Sequence, residues 1–230
     1  MAFVGTMAKS EVNLSPTRKN RVLCLRCLRS ESTCYCQEVR PVRSRFQFIL
    51  LQHPLEHRNC IGTARMTHHC LENSRLILGT AFDKDPQVIE LTSNPDNHCV
   101  VLYPGPNSVN ISLESETQTE NRFPVGKNRV IFVIDGTWFC AKKMLRQSPN
   151  LSSLPQICFT PKSGSEYKIR QQPHPQCLST IEAVHHLIEV LDPKVNPANL
   201  LEVFRSMVAR QLKFLERSQA VADEAVSRVT

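Results

Sequence analysis

Glycine is scarce. The chain has seven in 230 residues, and the closest two, Gly126 and Gly136, are ten positions apart. Neither G-x-G-x-x-G nor a Walker-type phosphate loop can be written with that spacing. This excludes P-loop NTPases, dinucleotide-binding Rossmann enzymes and most glycine-loop methyltransferases. Long apolar runs are also missing. None exceeds the length of Val130–Ile134, far short of the roughly 20 residues a membrane span requires. Met1–Ser10 holds no apolar stretch of the length a secretory signal uses, so no such signal is expected. What remains is 41% apolar and 21% charged, a composition that can bury a core. The length suggests one α/β core with an appendage.

The net charge of +7 is unevenly placed. Residues 1–50 hold nine Lys and Arg against three Asp and Glu, and the other 180 hold 19 against 18. A basic N-terminal part beside a neutral body is the pattern of a polyanion-binding extension, with nucleic acid as the expected partner. A basic, solvated tail is the plainer alternative.

The ten cysteines fall into two groups. Cys24, Cys27, Cys34 and Cys36 crowd into thirteen positions, while Cys60, Cys70, Cys99, Cys140, Cys158 and Cys177 are scattered singly among apolar stretches. A disulfide scaffold would spread pairs through a shorter chain. The pattern reads as a reducing, cytoplasmic protein with one metal site and six packed thiols. The C-x-x-C turn lets two thiolates converge on one tetrahedral ion, and six intervening residues allow a second pair to join them. Four cysteines without histidine suggest a closed structural zinc that would fix the surrounding arginines pointing outward. Chance clustering or redox chemistry is the competing explanation.

Along the chain, residues 1–20 read as a flexible basic tail, 21–44 as the zinc ribbon and 45–217 as the main domain. Residues 218–230 read as a C-terminal tail. Phe46 to Leu51, Arg75–Leu78, His98–Tyr103, Arg129–Ile134 and Gln156–Thr160 are apolar runs expected to be strands. Helical patterns lie at 62–72 and at Trp138–Arg146. Residues 106–128 look irregular. Strands buried on both faces and separated by helices imply a mostly parallel sheet with helices on both faces. In the last third, Ser179 and Glu182 form a capping box before the stripe Ile181, Val184, Leu187, Ile188 and Leu191. Asn196-Pro197 opens a final helix, whose single apolar stripe favours a monomer.

Polar clusters follow two of the strands, Pro104-Gly105 after His98–Tyr103 and Asp135-Gly136-Thr137-Trp138 after Arg129–Ile134. In open α/β sheets, ligands sit outside the carboxyl ends of the strands. Asp135 is therefore a site candidate. It is equally a candidate helix cap, as is Thr137, with Trp138 then serving as core.

Six motifs occur in one order: Cys24-x-x-Cys27-x6-Cys34-x-Cys36; His53-Pro54-x-Glu56; Leu102-Tyr103-Pro104-Gly105; Asp135-x-Thr137-Trp138; Tyr167-x-Ile169-Arg170-x-x-Pro173; and Leu178-Ser179-Thr180-x-Glu182-Ala183. Together they resemble the DTW-domain family of tRNA-uridine aminocarboxypropyltransferases over about residues 21–215. The resemblance implies an α/β, SPOUT-like, knotted domain behind a small four-cysteine zinc ribbon. It implies S-adenosylmethionine as co-substrate and tRNA as partner. The group moved would be 3-amino-3-carboxypropyl, the acceptor nitrogen 3 of a uridine, and methylthioadenosine the released product. A knotted fold would also bind this co-substrate without a glycine-rich loop.

On this reading Asp135 is the catalytic base, or alternatively a carboxylate holding the sulfonium or the amino group. Co-substrate contacts are expected from Leu102, Tyr103 and Pro104, from Asp135, Thr137 and Trp138, and from Arg170, Leu178, Ser179 and Thr180. Arg21, Arg26, Arg29, Arg40, Arg43 and His53 are expected to face tRNA. Glu56 would face tRNA or order the site. A knotted methyltransferase of RNA using the same co-substrate, and a zinc-ribbon RNA-binding protein without catalysis, are the competing functions.

Overall fold

A computed structural model of the chain describes residues 22–59, 61–170 and 177–227, with side chains to residue 217. The tail expected at 1–20, and with it Arg21, lies outside the described residues.

Six strands form one sheet: β1 (Phe46–Gln52), β2 (Ser74–Leu78), β3 (Asn97–Leu102), β4 (Val109–Asn110), β5 (Asn128–Asp135) and β6 (Gln156–Cys158). Every pairing is parallel, in the order β2-β1-β5-β3-β6-β4. The helices are α1 (Pro54–His57), α2 (Ala64–His69), α3 (Pro86–Ser93), α4 (Glu116–Arg122), α5 (Trp138–Arg146), α6 (Pro149–Ser152), α7 (Thr180–Leu191) and α8 (Ala198–Ser227).

Strand parity explains the apolar runs. Side chains alternate across a sheet, and here both faces are buried. Phe46, Phe48 and Leu50 of β1 join Ile131 and Val133 of β5 on one face, packed with Ile181, Val184, Leu200 and Phe204 from α7 and α8. Ile49 and Leu51 join Val130 and Phe132 on the other, with Val88 and Leu91 of α3 and Met144 and Leu145 of α5. Each fully buried Leu or Phe contributes about 1.5–3 kcal/mol, and the fully buried middles of the two strands, residues 48–51 and 130–133, hold no polar residue.

Besides the single-turn α1 and α6, two helices arise where no helix is expected from periodicity. The first, α3, begins at Asp85-Pro86, where the Asp85 carboxylate accepts the Gln87 and Val88 amides and proline occupies the first turn. The second, α4, lies in the stretch read as irregular and is set by a capping box between Ser115 and Gln118. Its Arg122 pairs with Glu114. The final helix starts as expected, with Asn196 accepting the Ala198 amide at 3.0 Å. It continues as helix through 218–227, where a tail is expected from the sequence.

The ribbon, residues 22–44, is fastened to the body at several points. Arg210 of α8 donates to the Cys34 carbonyl and pairs with Glu38. Asn199 accepts the Arg40 amide at 2.7 Å and donates to the Glu38 carbonyl at 3.2 Å. At the ribbon's exit, Asp192 accepts both the Ser44 hydroxyl (3.0 Å) and the Arg45 amide (2.9 Å).

The thiols are less uniform than six packed side chains. Cys70 and Cys99 are buried, but Cys140, Cys158 and Cys177 are only half-buried because they sit at or near strand ends and helix starts; Cys60 lies outside the described residues.

Glu182 is the hub that seats α7. Its carboxylate accepts the Ser179 amide (2.8 Å), the Ser179 hydroxyl (2.6 Å), the Ser165 hydroxyl (2.8 Å) and the Glu166 amide (2.7 Å). Glu182→Ala would leave the buried Ser179 donors and the half-buried Ser165 and Glu166 donors without this acceptor, at a cost of about 2–4 kcal/mol. Urea unfolding should show a lower midpoint at unchanged slope, and Glu182→Gln should lose less.

Candidate active site at the strand ends

Parity carries through to the ends of β1 and β5. Gln52 and Asp135 are the last residues of their strands, stand opposite each other in the parallel register, and share the face that α7 covers. Gln52 Nε2 donates to Asp135 Oδ2 at 3.0 Å, and the Thr180 hydroxyl at the start of α7 donates to Oδ1. The His53 amide donates to the Asp135 carbonyl at 2.8 Å. Asp135 is 7% exposed. Burial raises its pKa from the ordinary carboxylate value, opposed by the hydrogen bonds from Thr180 and Gln52; Glu56 adds to the rise and Arg170 opposes it.

Asp135 caps no helix. Thr137 performs that role, its hydroxyl accepting the Cys140 amide at 3.3 Å. Between them Gly136 sits at a close approach, because a Cβ there would lie 3.2 Å from the Cβ of Cys140 and would ask that side chain to shift by a few tenths of an ångström. Trp138 is not core. It is 49% exposed, and its indole N–H donates to the Cys177 sulfur at 3.3 Å.

A second carboxylate lies nearby with the opposite electrostatics. Glu56 is held in a two-pronged ion pair by Arg170, Nη1 to Oε2 at 2.8 Å and Nη2 to Oε1 at 2.6 Å. Burial works to raise its pKa, but the Arg170 hydrogen bonds and charge outweigh it and the net shift is downward.

These groups border one cleft of about 750 Å³ at the carboxyl ends of β1, β3, β5 and β6. All ten residues expected to contact a co-substrate line it: Leu102, Tyr103, Pro104, Asp135, Thr137, Trp138, Arg170, Leu178, Ser179 and Thr180. Three of them also have partners within the chain. The Ser179 hydroxyl faces Glu182, the Thr180 hydroxyl faces Asp135, and Arg170 is spent on Glu56. Neither hydroxyl is turned to a ligand; what the α7 start offers a carboxylate is its backbone amides and dipole. Sequence reasoning missed Gln52, Cys158, Phe159 and Cys177. A polar residue closing an apolar strand was the one signal that marked Gln52.

The four ribbon cysteines converge. Cys24 and Cys36 sulfurs are 3.8 Å apart, Cys27 and Cys34 are 3.7 Å apart, and all four lie within 4.8 Å of one another. Thiolates about 2.3 Å from a tetrahedral zinc lie roughly 3.8 Å from each other, so the donor set fits that ion. The amides of Cys27 and Arg26 draw the Cys24 thiol down to about 6. Burial instead raises Cys27 and Cys36, which binding of a cation would offset. The knuckle turns at Leu28, held at φ 58° with its amide 2.8 Å from the Cys24 carbonyl.

Of the arginines expected to point outward, Arg26, Arg40 and Arg43 are exposed. Arg29 is not: it is 7% exposed and stands over the Tyr35 ring at 5.8 Å, where the knuckle folds back on the ribbon core. The Arg40 guanidinium rests on the carbonyls of Gln37 and Val39. The His53 ring caps α1, accepting the Leu55 amide at 3.2 Å.

Fold and site define a parallel α/β domain with a cleft at its strand ends and an attached ribbon whose four cysteines fit a metal ion. The DTW domain profile matches residues 21–212, and the chain belongs to that family. It is 31% identical over 179 residues to mouse tRNA-uridine aminocarboxypropyltransferase 2, covering 76% of this chain and 58% of the mouse protein. It is 30% identical over 184 residues to the Drosophila melanogaster protein of the same name, covering 78% and 69%. With Arabidopsis thaliana tRNA-uridine aminocarboxypropyltransferase A it shares 24% identity over 226 residues, 85% and 83%. The chain thus spans less than two thirds of the mouse relative. No solved structure matches it.

Elemental analysis of the purified protein should find about one zinc per chain. Cys27→Ser, which removes the most buried ligand, should lose both the metal and thermal stability. A full-length preparation free of zinc yet equally stable would remove the metal assignment.

Proposed function

We propose that the protein is a tRNA-uridine aminocarboxypropyltransferase. It moves the 3-amino-3-carboxypropyl group of S-adenosylmethionine to nitrogen 3 of a uridine in tRNA, with methylthioadenosine as co-product. The observation that carries the reading is the single cleft lined by all ten expected residues around the buried Asp135. Its volume suits a small-molecule site, and its mixture of apolar walls and a few convergent polar groups suits a nucleoside with a charged arm. The names of the relatives supply the reaction class. The knotted, SPOUT-like topology belongs to the same proposal, supported by the all-parallel sheet and by α7 entering beside the ends of β3 and β5.

S-adenosylmethionine, when bound, supplies an electrophilic γ-carbon beside a sulfonium leaving group. The residues of the chain must choose that carbon and activate the nucleophile. Leu102, Tyr103 and Pro104 shape the adenosine side, and the amides at the start of α7 receive the carboxylate of the arm, so that position does most of the catalysis. Trp138 offers an exposed ring face to a cation. Uracil nitrogen 3 is an imide that keeps its proton near neutrality and needs a base. Asp135 takes that proton on a lone pair that Gln52 and Thr180 leave free. Burial makes it a stronger base than an exposed carboxylate. Glu56, fixed as an anion by Arg170, keeps its charge throughout. The exposed Arg26, Arg40 and Arg43, with His53, face the RNA. Zinc gives the ribbon its shape, and a monomer in a reducing cytoplasm is part of the same reading.

Asp135→Asn should leave S-adenosylmethionine binding intact while transfer falls about 10²-fold or more. Mass spectrometry of tRNA nucleosides reads the product directly, and an added methyl group in its place would establish the methyltransferase. The raised pKa of Asp135 fixes two signs. The activity, which needs the ionised form, should fall on the acid side at a pH above the ordinary carboxylate range. Stability runs the other way: the contribution of the protonated carboxyl is full below its unfolded pKa and lost as pH rises through the folded one. Asp135→Asn should therefore melt higher than wild type at neutral pH, with the gap closing in acid.

A further inference from the structure

A smaller hollow of about 240 Å³ lies where the ribbon meets α1 and α2, and its lining is cationic. Arg29 comes from the ribbon, Arg58 from the end of α1 and Arg65 from α2, with His57 between them. Arg65 Nη2 lies 2.9 Å from His57 Nδ1, so a guanidinium abuts an imidazole with no carboxylate between. Among the described residues neither Arg58 nor Arg65 has an acidic partner. The one carboxylate in the lining, Glu56, is already neutralised by Arg170. Two neighbouring guanidiniums without an acidic partner, Arg58 and Arg65, suit an anion, and planar guanidinium forks favour phosphate.

Its position says which phosphate. Glu56 borders both the hollow and the large cleft. Gln52, in the wall of the hollow, donates to Asp135 in the cleft at 3.0 Å, while its other amide atom lies 3.2 Å from His57. One layer of side chains separates the two spaces, and in a nucleotide one sugar separates the phosphate from the base. We propose that this hollow binds a phosphodiester of the substrate RNA, beside the nucleotide whose base enters the strand-end cleft, with Arg58 and Arg65 as the contacting guanidiniums. The assignment rests on the tRNA reading above, and it gives the hollow a role in substrate binding that the cleft alone does not fill.

The test uses the full chain and an unmodified tRNA transcript. Affinity is measured over a series of salt concentrations for wild type and for Arg58→Gln with Arg65→Gln. Removing both guanidiniums from the one phosphate should weaken binding about 10-fold or more and flatten the log–log salt slope by about 1. S-adenosylmethionine affinity and zinc content should stay as in wild type. Unchanged tRNA affinity and slope would overturn the site. If the glutamine variant loses zinc or melts early, Arg58→Lys with Arg65→Lys carries the test. Lysine keeps the charge without the fork, so affinity should fall while the slope holds, and wild-type affinity would overturn the proposal. Inorganic phosphate at constant ionic strength separates the sources: binding that the double variant loses while tRNA affinity is unchanged makes the hollow a free-anion site and overturns the RNA assignment. Product analysis separates this proposal from the functional reading. Product from wild type with normal tRNA binding by the variant sinks the hollow alone. No product from wild type, with the stated loss of binding in the variant, sinks the reaction and keeps the RNA site.

Discussion

Pairing between β1 and β5 fixes the register that brings Gln52 opposite Asp135. The rest of the site is arranged around that contact. The two strands present alternate residues to two buried faces, so the last residue of each falls on the α7 face by parity alone. There α7 adds Thr180 on the second carboxylate oxygen, and the loop after β1 adds the His53 amide on the carbonyl. Two stretches far apart in sequence, Gln52-His53 and the start of α7, thus restrain one buried aspartate. A shift of one residue in register would move Gln52 to the opposite face and leave the carboxylate buried with only Thr180 as donor.

Two carboxylates in one cleft, Asp135 and Glu56, are driven in opposite directions by their surroundings. Burial dominates at Asp135 and raises its pKa, whereas the fork of Arg170 overcomes burial at Glu56 and lowers it. Separating two acids in this way assigns them different tasks. In the proposed reaction one exchanges a proton and the other holds Arg170 against α1.

The ribbon is part of the same construction. It is tied to α8 through Arg210 and Asn199, and its buried Arg29 closes one wall of the basic hollow. A metal at Cys24, Cys27, Cys34 and Cys36 would stabilise more than a knuckle, because the wall facing α1 and α2 depends on that turn.

Much of this was legible in the sequence wherever the cause was local. Apolar runs marked strands buried on both faces, the Ser179–Glu182 spacing marked the start of α7, and four close cysteines marked a ligand set. The motifs after β3 and β5 located the cleft. Helices α3 and α4 were overlooked although their caps, Asp85-Pro86 and Ser115 with Gln118, were written in the chain. Other features needed the folded structure. Gln52 belongs to no motif, and only strand register gives it Asp135 as a partner. Arg170 and Glu56 are 114 positions apart, so neither announces that it will neutralise the other. Arg29 resembles the exposed arginines around it until the knuckle folds it over Tyr35. The sequence by itself determined the elements, the caps and the sulfur ligand set, because these depend on neighbours a few residues away. The tertiary structure alone decided which charges are buried, paired or open to a ligand, because a Coulomb interaction depends on distance and solvent exclusion rather than position in the chain.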